Sequence, residues 1–300
     1  MHAPRDTGRV LSLAGDARSG PVAILAGSGR LPAVIADRLA AQGRDHRVLA
    51  IRGFTDRALR RRADAAVGLL DVRRALRCLD AWAPACVTLA GGLRRPDAGA
   101  VVEAFGWLRS RQEVADLLRR GDDNLLRGVL RLLEEHGHRL VGVHEFAPEL
   151  LARPGLYGAV EPGSSDQGSA RLGLSLLREL SPFDIGQAAV VAGERVLAVE
   201  GPEGTDRMLA RVGGPRRRWP LRRATRCGVL VKAAKRGQDR RVDMPAIGPR
   251  TIRNAARAGL AGIAVASGST LVLDAEEATA LADRLGLFLV GLPDMGDPGS

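Results

Sequence analysis

The chain has 300 residues, of which 45 are Lys or Arg and 34 are Asp or Glu, so its formal net charge is +11. Hydrophobic residues make up 45% of the sequence, which excludes global disorder, and the length predicts about two domains of ordinary size. No apolar run approaches the roughly 20 residues that a membrane-spanning helix needs. The three cysteines form no CxxC pair, which argues against a disulfide scaffold or a structural zinc site.

Arginine supplies nearly all of the positive charge, because Lys232 and Lys235 are the only lysines. A basic surface is compatible with nucleic acid, anionic lipid or phosphate-rich ligands. Aromatic residues are only 3% of the chain and do not alternate with the Arg clusters, so no platform for stacking bases is indicated and no nucleic-acid partner is expected. Two lysines three residues apart predict a point-charge role, with two ordinary surface lysines as the equal alternative.

The first part of the chain alternates predicted strands and helices. Residues 1–20 are interpreted as a flexible extension. The apolar and amphipathic runs that follow predict, in chain order, strands at 22–26, 47–51, 86–90 and 139–143, and helices at 33–41, 72–82, 112–118 and 124–135. Strands separated by helices predict a Rossmann-like domain with a parallel sheet, which we assign to residues 21–150.

The second part has a different pattern. Residues 151–168 contain several Gly and Pro and few apolar residues, and they are interpreted as a linker. After them we predict a hairpin at 187–199, helices starting at 205, 249 and 275, and strands at 228–232, 262–266, 270–273 and 287–290. The predicted fold class is therefore α/β, with the Rossmann-like domain joined to a distinct mixed α+β domain at residues 169–295.

Two glycine loops follow predicted strands of the first domain, at the edge where open α/β sheets bind ligands. Gly27, Ser28 and Gly29 lie between a strand and a helix, where backbone amides bind phosphate; the alternative is a simple turn. Gly91 and Gly92 follow the third strand, where an ordinary loop is the first interpretation and close approach of a ligand to the backbone is the second. The first loop departs from the dinucleotide pattern because Pro32 replaces the third glycine, which argues against an NAD-dependent oxidoreductase.

Several acidic residues are candidates for chemistry. Asp122 precedes an apolar helix, where an N-cap is the first interpretation and a metal or ribose contact the second. Residues 200–206 place three carboxylates, including Asp206, in a glycine-containing turn that is typical of cation or phosphate binding. Asp243 lies between apolar residues just before a proline, so it is either buried with a metal, Lys232 or an Arg as its partner, or exposed at a strand end.

Nine motifs, in their order and spacing, resemble one known family. They are ILAGSGRLP, LAGGLRRPD, GDDNLLRGVL, GVHE, FDIGQAAVV, VEGPEGTDRML, LVKAAK, RVDMPAIGPRTI and ARAGLAGIAV. Together they resemble the LpxI family, the UDP-2,3-diacylglucosamine diphosphatases of the lipid A pathway in Gram-negative bacteria. Ser28 replaces a glycine common in the family, and Gly92 replaces a common asparagine.

The resemblance implies a Mg²⁺-dependent hydrolase that cleaves UDP-2,3-diacylglucosamine to UMP and 2,3-diacylglucosamine 1-phosphate (lipid X), with water attacking the α-phosphorus. It implies that Asp243 is the essential aspartate, which either ligates the metal or orients the attacking water, and the candidate metal ligands are Asp243 and Asp206. The implied substrate contacts are Gly27, Ser28, Gly29, Gly91, Gly92, Asp122, Asp206 and Lys232. It also implies a homodimer in the cytoplasm, peripheral to the inner membrane. The alternatives are a non-catalytic nucleotide-binding protein and an NAD-dependent oxidoreductase.

Overall fold

The structure is a computed structural model that describes residues 20–69, 71–93, 128, 130–218, 226–237, 239–241 and 243–293. The chain divides into two compact units: residues 1–148 with 240–243, and residues 149–239 with 244–300. Helices in the described ranges are all too short or too polar to cross a membrane.

The N-terminal unit contains a parallel sheet that, within the described ranges, has four strands in the order β3-β2-β1-β4. These strands are β1 (Val22–Ala26), β2 (His46–Ile51), β3 (Ala65–Val67) and β4 (Cys86–Ala90). The helices between them are α1 (Leu31–Ala41), α2 (Arg57–Arg61) and α3 (Val72–Trp82). The alternation of strand and helix confirms the predicted Rossmann-like sheet.

The core of this unit forms where alternate strand residues pack against helices. Leu25, Leu49 and Leu89 lie in one cluster with Leu76 and Leu79 of α3. Residues 130–135, which form the described part of helix α4, add further leucines to the same cluster. Parallel strands covered in this way present their carboxyl ends, and the loops that follow them, at one edge.

The end of the N-terminal unit differs from the sequence prediction. Residues 139–143 were expected to form a strand, but the described contact with β4 is a single parallel bridge between Leu140 and Val87. Helix α5 (Val143–Phe146) begins at once, because the Gly142 amide donates to the Glu145 carboxylate over 2.6 Å and this cap starts a helical turn. The helix predicted at 112–118 lies outside the described residues.

The C-terminal unit contains a mixed sheet in which the described strands follow the order β5-β12-β10-β8-β6-β7. The strands are β5 (Gly155–Leu156), β6 (Ala188–Ala192), β7 (Arg195–Val199), β8 (Val229–Lys232), β10 (Gly262–Ala266) and β12 (Phe288–Leu292). The three consecutive strands β8, β10 and β12 are parallel, whereas β5, β6 and β7 pair antiparallel with their neighbours. Strands β9 (Ala246–Ile247) and β11 (Leu271–Val272) form a separate parallel pair. The predicted mixed architecture is confirmed.

Helices cover both faces of this sheet. Helix α6 (Ser164–Leu180) packs Leu174 and Leu177 against Val229 and Val231. The opposite face is covered by α7 (Thr205–Arg218), α8 (Pro249–Arg257) and α9 (Ala275–Arg284). Because side chains alternate along a strand, Leu230 of β8 packs in the hydrophobic cluster on one face of the sheet, and Val229 and Val231 pack in the cluster on the other face.

The predicted linker at 151–168 was wrong as a description of local structure. It contains β5, which pairs with β12, and the first residues of α6. The glycines that favoured a linker obscured the helix, although Ala170, Leu174 and Leu177 have helical spacing. A further glycine inside the helix, Gly173, is required because a Cβ there would overlap the Val231 side chain.

Candidate functional site

Two glycine loops meet at the carboxyl edge of the N-terminal sheet. Gly27, Ser28 and Gly29 follow β1, and Gly91 and Gly92 follow β4. The Ser28 amide donates to the Gly92 carbonyl oxygen over 2.8 Å, and the Gly92 amide donates back to the Ser28 carbonyl oxygen over 3.0 Å. The Ser28 hydroxyl donates to the same Gly92 oxygen over 2.7 Å. The two loops therefore form one hydrogen-bonded unit, which we call the glycine edge.

Glycine is required at two positions of the glycine edge because the backbones approach so closely. A Cβ on Gly27 would lie 2.8 Å from the Gly92 carbonyl oxygen, and a Cβ on Gly91 would overlap the Ser28 carbonyl oxygen. Gly91 also has a φ of +87°, which other L-residues rarely adopt. Substitution at Gly27 or Gly91 would push the loops apart.

The same hydrogen bonds restrict where an anion can bind. The sequence predicted that the amides of the first loop cradle phosphate, but the Gly27 and Ser28 amides already donate to the backbone oxygens of Ala90 and Gly92, each over 2.8 Å. Helix α1 begins at Leu31, and in its first turn Pro32 has no N–H and the Val34 amide donates to the Arg30 carbonyl oxygen over 3.1 Å. An anion at this edge is therefore expected at Gly29 and the remaining first-turn amides of α1.

One part of the predicted site lies outside the described residues. This is Asp122 with the acidic pair to which it belongs. The assignment of Asp122 as a substrate contact stays a prediction from the resemblance.

Asp243 is exposed, and it groups with the N-terminal unit although the chain on both sides belongs to the C-terminal unit. The Arg241 guanidinium donates to the Glu134 carboxylate over 2.7 Å, which ties residues 240–243 to α4. A Cβ on Gly142 would lie 3.1 Å from the Arg240 carbonyl oxygen, so the segment also packs closely on the turn before α5. Of the two sequence interpretations of Asp243, the exposed carboxylate is the one observed.

Lys232 lies at the carboxyl end of β8, and it is 7% exposed. Its ammonium group donates to the Thr205 hydroxyl over 3.0 Å and to the Ala246 carbonyl oxygen over 3.2 Å. The Thr205 hydroxyl in turn donates to the Glu200 carboxylate over 2.6 Å. The other oxygen of Glu200 accepts the Gln187 amide over 2.9 Å. The sequence alternative of a surface lysine is thus wrong for Lys232.

Asp206 has protein partners on both carboxylate oxygens. One oxygen accepts the Asn254 side-chain amide over 2.7 Å, and the other pairs with the Arg250 guanidinium. Both partners belong to α8, so Asp206 joins the start of α7 to that helix. A carboxylate already paired with a cation does not fit the predicted role of a metal ligand.

Glu203, the third carboxylate of the 200–206 turn, is also paired. Its own backbone amide and the Arg211 guanidinium, at 2.8 Å, hydrogen bond to the carboxylate and lower the pKa of Glu203 below its ordinary value. Across the part of the chain that the structure describes, no group of three His, Cys, Asp or Glu side chains is arranged to hold a metal. The carboxylates of Glu203 and Asp206 therefore each pair with an arginine, and these pairs hold the turn within the C-terminal unit.

The hydrogen-bonding partners of Lys232 were not predicted. The sequence indicates residue 205 only as the start of a helix and Glu200 only as one of three carboxylates in a turn. Thr205 and Lys232 are 27 residues apart. No local spacing rule links residues at that separation.

Family models match almost all of the chain. The LpxI N-terminal domain model matches residues 21–150, and the LpxI C-terminal domain model matches residues 153–290. The chain belongs to the LpxI family. The UDP-2,3-diacylglucosamine pyrophosphatase LpxI of Caulobacter vibrioides (strain ATCC 19089 / CIP 103742 / CB 15) is 40% identical over 275 residues, which are 92% of this chain and 98% of that protein. The resemblance carried by the motifs is confirmed. Within this LpxI chain, the glycine edge lies in the N-terminal match, whereas Lys232 and Asp243 lie in the C-terminal match.

Proposed function

We propose that this chain hydrolyses the diphosphate bond of UDP-2,3-diacylglucosamine in lipid A synthesis, giving UMP and 2,3-diacylglucosamine 1-phosphate. The observation that carries the proposal is the 40% identity to an LpxI pyrophosphatase, which extends over 92% of this chain and 98% of that protein. Because the match covers both units, 98% of the relative's residues align with residues of this chain.

The proposed reaction is a displacement by water at the α-phosphorus, the one that carries the uridine. The new bond joins the water oxygen to the α-phosphorus, and the bridging bond to that phosphorus breaks. Diacylglucosamine 1-phosphate leaves with the bridging oxygen, and one water proton is released. The substrate diphosphate is anionic, so cationic and N–H donors that neutralise it lower the barrier to attack.

We propose Mg²⁺ as the cofactor, with Asp243 as its protein ligand. Mg²⁺ often binds through one or two carboxylates together with substrate phosphates, so an exposed carboxylate such as Asp243 fits this arrangement. Asp206 does not fit, since Arg250 and Asn254 occupy its oxygens. Bound Mg²⁺ would neutralise charge on the diphosphate and so favour attack by water.

The other site residues have distinct proposed roles. Gly29 and the first turn of α1 offer amides to a phosphate or ribose oxygen, while Gly27, Ser28, Gly91 and Gly92 hold the loop in place. Lys232 offers its ammonium group to a phosphoryl oxygen. Asp122 remains a proposed substrate contact on the resemblance alone.

The first experiment is turnover in H₂¹⁸O with purified protein, UDP-2,3-diacylglucosamine and Mg²⁺ in detergent. We expect UMP to form, to carry the ¹⁸O label, and to disappear with EDTA. Label in the lipid product instead would place the attack at the β-phosphorus. Absence of UMP under every condition would contradict the hydrolase proposal and favour a nucleotide-binding protein.

We also propose that the enzyme associates peripherally with an anionic membrane in the cytoplasm. A net charge of +11 supports this, as do the exposed side chains of Phe183 and Ile185, which are 71% and 38% accessible. Sedimentation with phosphatidylglycerol vesicles, but not with phosphatidylcholine vesicles, is the expected result. Equal sedimentation with both, or with neither, would contradict it.

The proposed oligomer is a homodimer, and it rests on the family resemblance. Sedimentation equilibrium at several protein concentrations measures it directly. Twice the chain mass of 31.7 kDa is expected.

A further inference from the structure

We propose that Glu200 and Thr205 are positioning residues that aim the Lys232 ammonium group at a substrate phosphoryl oxygen. The inference rests on the proposed function for its ligand, a nucleoside diphosphate. Its structural part rests on the hydrogen bonds around Lys232 alone. We call Glu200, Thr205 and Lys232 the lysine relay.

The direction of each hydrogen bond in the lysine relay is fixed by chemistry. An ammonium group only donates, and an ionised carboxylate only accepts. Thr205 lies between the two, with its hydroxyl oxygen 3.0 Å from the Lys232 nitrogen and 2.6 Å from the Glu200 oxygen. The hydroxyl proton must therefore point to Glu200, which leaves the oxygen lone pairs directed at Lys232.

Glu200 is itself held in place, so the relay is rigid. Its second oxygen accepts the Gln187 backbone amide at 2.9 Å, one residue before β6. The carboxylate therefore has both oxygens occupied by donors and cannot rotate away from Thr205 without losing one of them. The backbone next to β6 thereby holds Glu200, Glu200 holds the Thr205 hydroxyl, and Thr205 holds the Lys232 ammonium group.

The ammonium group has one donor more than the relay uses. Lys232 offers three N–H groups, and two of them donate to Thr205 and to the Ala246 carbonyl oxygen. Among the residues that the structure describes, no other acceptor lies within hydrogen-bonding distance of this nitrogen. A buried cation is stable only when it is compensated, and here the Glu200 charge reaches it through one hydroxyl. A phosphoryl oxygen would complete its coordination.

The composition of the chain allows the relay to be observed directly. Lys232 and Lys235 are the only lysines, so protein labelled with ¹⁵N-lysine gives two side-chain ammonium signals. The Lys235→Arg variant assigns them and serves as the matched control, because Lys235 pairs with Asp184 instead. UDP is the probe, since it carries the diphosphate without the lipid, and calorimetry measures its binding in parallel.

The expected results separate the relay from ordinary packing. UDP shifts the Lys232 signal and leaves the Lys235 signal in place. Thr205→Val, which keeps the shape but removes the hydroxyl, broadens the Lys232 signal and lowers kcat about 10- to 100-fold with little change in KM. Thr205→Ser restores the signal and most of the turnover. Glu200→Gln gives an intermediate loss, because an amide nitrogen then faces one of the two donors.

Other outcomes would overturn the proposal. A Lys232 signal that does not move at saturating UDP contradicts an anion contact. A Thr205→Val enzyme with wild-type kcat, or a Thr205→Ser enzyme as impaired as Thr205→Val, contradicts the positioning role. The relay and the proposed function can also be separated. If UDP and Thr205→Val both change the Lys232 signal, but neither the wild-type protein nor any variant forms UMP, the proposed function is contradicted and the relay is supported.

Discussion

At the carboxyl edge of the N-terminal sheet, mainly backbone atoms make the contacts, whereas at the carboxyl end of β8 in the C-terminal sheet buried and half-buried side chains make them. The glycine edge is held by hydrogen bonds between Ser28 and Gly92. The lysine relay is held by Glu200, Thr205 and Lys232. A backbone site depends on where glycine occurs, so a short motif predicts it. A side-chain site depends on residues that the fold brings together, so no motif does.

Asp243 is an exposed carboxylate on a segment that returns to the N-terminal unit. We expect Asp243→Asn to have the largest effect on turnover. Loss of the proposed metal ligand would remove about 4 kcal/mol of transition-state stabilisation, which is on the order of 10³-fold in kcat. Calorimetry with Mg²⁺ in the presence of UDP should show lost metal binding. Asp206→Asn is the matched control, and equal loss of Mg²⁺ binding in both variants would reinstate Asp206 as a ligand.

The glycine edge can be broken by adding a single carbon. Gly91→Ala combines a positive φ with overlap against the Ser28 carbonyl oxygen, so we expect a loss of about 2 to 3 kcal/mol in the free energy of unfolding. Gly53 has a φ of +83° but open space around its Cβ position, and Gly53→Ala should lose about 1 kcal/mol. Urea unfolding measures both. Equal losses would show that the close approach of the loops contributes nothing beyond backbone conformation.

The segment that carries Asp243 can be loosened without touching Asp243. The Arg241 and Glu134 side chains are 36% and 42% exposed, so their pair should contribute only about 0.2 to 1 kcal/mol to stability. Arg241→Gln and Glu134→Gln are each expected to lower kcat/KM by roughly two- to fivefold, within that energy range. The exchanged pair Glu134→Arg with Arg241→Glu should recover part of the loss. No recovery would mean that the pair does not position the segment.

Acid should weaken the N-terminal unit by a small amount through His138, whose side chain is 8% exposed. Burial lowers the pKa of His138 below its ordinary value of 6.5. The negative charge of Asp80 opposes this shift, and His136 adds to it. The unfolded chain then binds the proton more readily than the folded chain. The stability is therefore present above pH 6.5 and is lost as the pH falls through the lowered pKa. In His138→Asn, the difference in Tm between about pH 7.5 and about pH 5.5 should be smaller than in wild type.

Much of the fold could be predicted because hydrophobic periodicity and turn residues are local features of the sequence. The predicted strands 22–26 and 86–90 and the helix 72–82 coincide with β1, β4 and α3. Helix α6 was missed because glycines at 163, 168 and 173 resemble a linker. Gly173 is there for a tertiary reason, since Val231 occupies the space that a side chain would need.

The sequence by itself determined the family, the mixed architecture and the positions of the glycine loops, because motif order, hydrophobic periodicity and glycine are all properties of neighbouring residues. Only the tertiary structure decided what the charged side chains do. In the folded chain Asp206 pairs with Arg250, the buried Lys232 donates a hydrogen bond to Thr205, and Asp243 groups with the N-terminal unit. The energy of a charge depends on its partners and its burial, and both are set by residues far away in the sequence.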